Sequence, residues 1–189
     1  ISDYLTSLER DYKLEADLNV GLVVRRTNQN LEIVIAGADS PNTPVYLESV
    51  NKKYAHVDQL CFTGYVEEND VKHVFKESTI VAFPYTSLEG NAGILHQAGA
   101  YGKATVLPQT KDFEIISQEE GYTGAFFNER SISSLATAIE SLIVNDEYRT
   151  EVAETNYQAA CKNTLASVTS SYITLFKNII DNKYSYALV

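Results

Sequence analysis

The sequence feature that most constrains the fold is a set of five short runs rich in β-branched and aromatic residues. They occupy residues 31–36, 59–63, 79–84, 104–107 and 124–127. Most are apolar at consecutive positions, whereas a strand with one solvated face alternates polar and apolar residues. Consecutive apolar positions are typical of parallel strands buried on both faces. We therefore expect a parallel sheet that is covered on both sides.

Segments with a helical spacing of apolar residues separate these runs and then continue alone. They lie at residues 43–54, 67–78, 90–101, 133–144, 146–161 and 168–180. This βαβαβ order is typical of a doubly wound sheet with right-handed crossovers. With 189 residues and no linker-like tract, the chain is predicted to form one Rossmann-like α/β domain with helices on both faces.

The first 28 residues are ambiguous. The apolar residues of this segment recur at mostly helical intervals, which favours a helix over residues 1–28; they are Leu5, Leu8, Tyr12, Leu18, Leu22 and Val23. The run "VGLVV" within it is also compatible with a strand. No obvious strand precedes residue 31, although such sheets usually have one at their centre. We therefore expect the first strand to lie upstream, and the chain to be part of a longer protein.

Composition argues against several classes of partner. The formal charge is −10, from 15 Lys and Arg against 25 Asp and Glu. Such a charge opposes a nucleic-acid surface or a polybasic membrane patch. No membrane span or secretion signal is visible. We expect a cytoplasmic domain with neither of these partners.

Two residue types that often mark chemistry give no site here. Cys61 and Cys161 are far apart in sequence, and buried, reduced thiols are favoured over a disulfide. His56, His73 and His96 show no ligand-like spacing with one another or with the cysteines. We therefore expect no metal site, and we interpret His73 and His96 as ordinary helix residues.

The stretch "TIVAFPYTSLEGNAGILHQAGAYGK" at residues 79–103 suggests a ligand site where a buried strand leads into a helix. Glycines at 90 and 93 permit close approach of a ligand to the backbone, and a helix N-terminus favours a phosphate. Glu89 at the rim suits sugar hydroxyls. Gln97, two turns into the helix, could reach another part of an extended ligand. The alternative is a solvated glutamate at a helix start and an incidental glutamine, and the short pattern alone does not decide.

Two other nucleotide-binding patterns are absent from the sequence. It contains no GxGxxG and no GxxxxGK[ST], which argues against nicotinamide-dependent oxidoreductases and P-loop NTPases.

From about residue 30 to 180 the chain resembles the C-terminal, nucleotide-sugar-binding domain of retaining glycosyltransferases with a GT-B fold, family 4 or group 1. The resemblance rests on the order and spacing of "LEIVIAGADS", "LCFTGYVEENDVKHVFKESTIVAFPY", "LEGNAGILHQAGAYGKATVL" and "EIISQEEGYTGAFFNERSISSLATAIESLIVND". Each piece is generic, but the series is specific.

The resemblance implies roles for individual residues. Glu89, as the first glutamate of the family's Glu-x7-Glu motif, would contact the transferred sugar as the catalytic-site residue. Gln97 takes the place of the second glutamate, which binds ribose. An amide there can still hydrogen-bond but loses the stronger charge-assisted contact. The base and diphosphate of the donor would be held by Gly37, Tyr65, Val66, Gly90, Asn91, Ala92, Gly93 and Ile94.

The chain departs from the family pattern in other places. The family's Arg and Lys near the first strand would lie upstream of Ile1. Its Gly-Gly turn is replaced by "PQTKDF", where Lys111 is more simply a solvated lysine than a phosphate contact. Tyr172 and Phe176, four apart on the last helix, are expected in a core stripe by default. In the family that helix often crosses back to the other domain.

The function implied is retaining transfer of a sugar from a nucleoside diphosphate sugar to a hydroxyl of a sugar, lipid or protein. No metal or other cofactor is implied. We expect a missing N-terminal domain to bind the acceptor, and the isolated domain to be inactive. The alternative is a non-catalytic glycosyltransferase-like module that binds a partner protein, as Gln97 hints.

Overall fold

The computed structural model describes residues 21–26, 31–39, 44–84 and 92–186 of the chain. Within these ranges there are six strands and seven helices. The strands are β1 Gly21–Arg26, β2 Leu31–Ala36, β3 Leu60–Gly64, β4 Ile80–Ala82, β5 Ala104–Pro108 and β6 Ala125–Phe127. The helices are α1 Tyr46–Lys53, α2 Glu68–Glu77, α3 Ala92–Ala100, α4 Lys111–Glu120, α5 Ile132–Val144, α6 Asp146–Lys162 and α7 Leu165–Tyr186.

The strands form one sheet in the order β3-β2-β1-β4-β5-β6. The pairs β2–β3, β4–β5 and β5–β6 are parallel. The predicted Rossmann-like α/β class is confirmed, and the five predicted strands correspond to β2–β6 with small shifts at their ends. An entirely parallel sheet is wrong in one place, because β1 runs antiparallel to both β2 and β4.

β1 also corrects the prediction for the front of the chain. A helix was expected over residues 1–28, but Gly21–Arg26 is a strand, and residues 1–20 lie outside the described part. Val23 and Val24 are both buried, which suits a strand covered on its two faces. Because β1 lies between β2 and β4, the centre of the sheet is filled.

The best-packed core lies around β4 and β5, where every residue of both strands is buried. On one face, Ile80 and Val106 pack against α5 and α6 through residues such as Leu142. On the other, Phe83 and Leu107 pack with residues from α2, α3 and α4. Burial of these side chains supplies the main driving force for this half of the domain.

A buried asparagine ties α6 to the sheet. Asn156 is fully buried; its Oδ1 accepts a hydrogen bond from the Thr123 N–H at 2.8 Å. Its Nδ2 donates to the Lys103 carbonyl at 3.2 Å and to Thr105 Oγ1 at 3.1 Å. The three partners lie just before β5, within β5 and just before β6. A buried polar side chain is tolerated here because its oxygen and its nitrogen both have hydrogen-bond partners.

α3 approaches α6 closely because it carries a glycine at the contact. A Cβ added at Gly99 would lie 2.6 Å from Tyr122 Cε1 and 2.8 Å from the Asn156 carbonyl oxygen. Neither separation is tolerable for a side-chain carbon. The small residue therefore fixes how tightly the helix that begins at Ala92 can pack against the core.

α4 was not predicted, and the family's Gly-Gly turn was expected at the position of "PQTKDF". Thr110 accepts a hydrogen bond from the Phe113 N–H at 3.3 Å and so caps the start of the helix. Gly121, with φ 83°, closes its end in the left-handed conformation that glycine favours. Lys111, in the first turn, is exposed.

The expectations for α7 and for the cysteines are partly wrong. Tyr172 and Phe176 stack on each other with ring centroids 6.3 Å apart, but each is 57% exposed and neither lies in a core stripe of the described part. Both cysteines are free; Cys61 is half-buried and Cys161 is exposed. Cys61 Sγ donates to Glu32 Oε1 at 3.0 Å.

No described helix is both long enough and apolar enough to cross a bilayer.

Candidate functional site

The candidate site lies at the carboxyl ends of the parallel strands, at the point where the strand order reverses. β2, β3 and β4 end at the same edge, and β1 begins there, since Gly21 pairs with Ala36 and Leu22 with Ala82. The chain first builds the sheet outward to β3 and then returns to add β4 on the other side of β1. In doubly wound sheets, ligands bind in the crevice at such a switch point.

A cavity of about 360 Å³ lies at this edge. Its apolar lining comes from β1, β4 and α2 and includes Val23, Val81, Val71, Val74 and Phe75. The volume falls within the range of about 300 to 1,000 Å³ for small-molecule sites. Five residues that the sequence assigned to the donor share its wall: Gly37, Tyr65, Val66, Ile94 and Gln97.

Glycines shape the corner of the cavity where β2 and β3 end. Gly37 has φ 141° and Gly64 has φ 65°, both in the region that favours glycine. The two residues form an isolated β-bridge, and the Gly37 N–H donates to Thr63 Oγ1 at 3.2 Å. Side chains are therefore absent where the two strand ends meet, which leaves backbone open to a ligand.

The rim beyond β3 carries an aromatic ring. Tyr65 is 73% exposed although it lines the cavity, and Val66 beside it is half-buried. An exposed ring next to an apolar cavity is suited to stacking on a planar group.

The opposite wall is the first half of α3. The helix begins at Ala92, and the N–H groups of a first turn have no partner within the helix. Gly93 is exposed, and a Cβ built on it meets no atom within 4 Å. The described neighbours therefore do not demand a glycine. Gln97 is exposed at the cavity.

Three predicted site residues, Glu89, Gly90 and Asn91, lie outside the described residues. His96, interpreted as an ordinary helix residue, contacts other parts of the fold: its Nδ1 is 3.0 Å from the Tyr122 hydroxyl and 3.6 Å from Glu120 Oε2.

Asp39 is a cavity residue that the sequence reasoning missed. It is half-buried, lines the cavity and accepts a hydrogen bond from the Leu47 N–H at 2.7 Å through Oδ1. It thereby caps the start of α1, whose N-cap residue Val45 makes no side-chain cap. The available signal was its position directly after β2, at the edge where such sheets bind ligands.

Two described basic residues, Arg25 and Lys103, lie near the opposite ends of the strands, away from the cavity. Arg25, paired in register with Glu32, contacts Glu32 at 3.4 Å and Glu77 at 3.0 Å. Lys103 Nζ donates to the Lys76 and Ser78 carbonyls at 3.2 and 2.9 Å, and burial lowers the pKa of its amine. Neither residue lines the cavity. Within the described ranges, no group of three His, Cys, Asp or Glu side chains could hold a metal ion.

The fold is that of a Rossmann-like domain, and the candidate cavity lies at the carboxyl ends of its parallel strands. Residues 18–159 match the family of glycosyl transferases group 1. The chain belongs to this family. No curated protein sequence matches it significantly.

Solved glycosyltransferase-type structures share the fold. Anabaena HepE in complex with UDP superposes with a TM-score of 0.65 at 15% identity, over 77% of this chain and 40% of that one. Sucrose-phosphate synthase from Thermosynechococcus elongatus gives 0.63 at 12% identity, over 79% and 38%. WaaG, a glycosyltransferase involved in lipopolysaccharide biosynthesis, gives 0.56 at 16%, over 74% and 36%. The chain thus spans about two fifths of the length of these proteins.

Proposed function

We propose that this chain binds the donor in a glycosyltransferase that moves a sugar from a nucleoside diphosphate sugar to a hydroxyl acceptor, with retention of configuration. One observation carries the proposal: the cavity at the switch point brings together five residues that the family pattern assigns to the donor. Membership of the glycosyltransferase group 1 family and the UDP-glucose complex of HepE support the same chemistry.

The dimensions of α3 agree with such a ligand. A diphosphate at the free N–H groups near Ala92 and Gly93 meets the positive end of the helix dipole. Gln97 lies five positions after Ala92, about 7.5 Å along the helix axis. A ribose attached to the diphosphate falls within its reach. The base then enters the apolar cavity beside Tyr65.

The chemistry assigned to this domain is stabilisation of the leaving group. Charge develops on the diphosphate as the bond to the anomeric carbon breaks, and preorganised helix N–H groups offset it. Glu89 is our proposed contact to the transferred sugar. We assign the acceptor, a hydroxyl of a sugar, lipid or protein, to a second domain.

The test is a calorimetric titration of UDP, GDP and ADP into the full chain and into its Gly93→Asp variant. The variant adds a carboxylate at the phosphate end, where the structure leaves space for a side chain. We expect at least about a tenfold loss of affinity for the preferred diphosphate, because charged hydrogen-bond contacts contribute roughly 1.5 to 3 kcal/mol. The parent nucleoside should bind with unchanged affinity.

Gln158→Glu is the control, since it adds the same charge at an exposed position of α6. It should bind like the wild type. Equal affinity of Gly93→Asp and wild type for the diphosphate contradicts the placement. Failure of all three nucleotides to bind the wild type contradicts donor binding and favours the non-catalytic module.

A further inference from the structure

We infer that Asp39 makes the site select guanine, so that the donor is a guanosine diphosphate sugar. The inference rests on the proposed function and concerns the base alone. It is carried by a half-buried carboxylate in the wall of a cavity whose lining is mostly apolar. A charged acceptor in such surroundings discriminates strongly between ligands that can and cannot donate to it.

The carboxylate is held in place and keeps capacity for a ligand. Asp39 Oδ1 accepts the Leu47 N–H at 2.7 Å, which fixes the group at the start of α1. A carboxylate offers about four lone-pair directions, so one bond to the backbone leaves room for two ligand donors.

The position of Asp39 fits the base better than the other parts of the nucleotide. It follows β2, whereas the diphosphate end lies at α3, which follows β4. β1 separates β2 from β4, so the two strand ends are two strand spacings apart, about 10 Å. A carboxylate close to the diphosphate would repel it, and Gln97 is nearer the ribose. The base is the part that spans the remaining distance.

Guanine has the donor pattern that a fixed carboxylate favours. Its N1–H and 2-amino group are adjacent donors that can bind both carboxylate oxygens, as the two-pronged Arg–carboxylate pair does. Uracil presents a single N–H between two carbonyl oxygens, which an acceptor-only group repels. Hypoxanthine keeps N1–H but lacks the 2-amino group, and xanthine carries a carbonyl oxygen in its place.

The experiment titrates GDP, IDP, UDP and XDP into the full chain, into Asp39→Asn and into Asp58→Asn. The side-chain oxygen of the Asp39→Asn variant can still accept the Leu47 N–H, while its amide group can donate to the xanthine oxygen. We expect the wild type to bind GDP about 10- to 100-fold more tightly than IDP or UDP. Asp39→Asn should lose this preference and bind XDP more tightly than the wild type does. Asp58, exposed and outside the cavity, matches the charge change, so Asp58→Asn should keep the wild-type order.

The outcomes separate this inference from the proposed function. If UDP binds the wild type as tightly as GDP, donor binding stands and guanine selection is wrong. If Asp39→Asn weakens all four nucleotides equally, Asp39 contacts a shared part such as the ribose, and the inference also fails. If no nucleotide binds the wild type, the proposed function fails with it. A gain of XDP binding cannot come from a misfolded variant.

Discussion

The two halves of the sheet differ in how completely they are buried. Every residue of β4 and β5 is buried, and five helices, α2 to α6, supply residues to the core around them. At the other end, β3 contains no fully buried residue and β2 contains two. We call these the β4–β6 half and the β1–β3 half.

The difference gives the candidate site one wall on the more buried half and one wall on the less buried half. α3, whose N-terminus we propose to bind the phosphates, is packed into the β4–β6 half through Leu95 and Ala98. The groups assigned to the base, at Gly37, Asp39 and Tyr65, belong to the other half. Local stability follows buried contacts. We therefore expect diphosphate recognition to be preorganised and base recognition to depend on fewer supporting contacts.

The largest expected effect comes from comparing a polar anchor in each half. Asn156→Ala leaves the Thr123 N–H and the Lys103 carbonyl without their side-chain partner, and we expect a loss of about 3 to 5 kcal/mol in the free energy of unfolding. Asp39→Ala removes one helix cap and should cost about 1 kcal/mol. Urea denaturation measures both. Equal losses would show that the halves contribute alike.

A smaller effect is expected from two glycines on the same helix. Gly99→Ala should destabilise the fold by about 1 to 3 kcal/mol, because the new methyl overlaps Tyr122 and the Asn156 backbone. Gly93→Ala meets open space and should leave stability unchanged or raise it by up to about 1 kcal/mol. The same denaturation curves apply. A tolerated Gly99→Ala contradicts the close α3–α6 packing.

The smallest effect concerns the reactivity of the two cysteines. Cys61 lies on β3, in the β1–β3 half, and we expect its thiol to be the less reactive one. The hydrogen bond to the Glu32 carboxylate, with partial burial, raises the pKa of Cys61 above its usual value. Its reactive thiolate therefore forms only at higher pH. Mass spectrometry after brief alkylation near neutral pH should find Cys161, which is exposed, modified first.

Glu32→Gln sharpens that prediction. Loss of the carboxylate should lower the pKa of Cys61 and speed its alkylation at a given pH, while the rate at Cys161 stays the same. Faster labelling of Cys61 than Cys161 in the wild type would contradict the Cys61–Glu32 contact.

Sequence patterns predicted the strands of the β4–β6 half well because those strands are uniformly apolar. They failed at β1, where helical spacing over residues 1–28 outweighed the run "VGLVV". Only four residues separate β1 from β2, a link too short for a parallel crossover. Had that run been taken as a strand, its antiparallel direction would have followed. α4 was missed although Thr110 and Gly121 are helix start and stop signals.

For the site, family spacing selected residues that the fold does bring to one cavity, among them Gly37, Tyr65 and Gln97. It did not select Asp39, because its role as a cap for α1 joins residues eight positions apart. Contacts of that kind depend on the path of the chain after β2, which no local pattern specifies. The roles of Glu89, Gly90 and Asn91 stay predictions.

The central claim is that a nucleoside diphosphate occupies the cavity at the switch point with its phosphates at α3. Hydrogen exchange with and without the tightest-binding of UDP, GDP and ADP tests it most directly. We expect slower exchange at residues 37–39, 65–66 and 93–97, and no change beside the second cavity of about 380 Å³ between Lys162 and Leu175. Protection at that second cavity, with none at residues 93–97, would contradict the account.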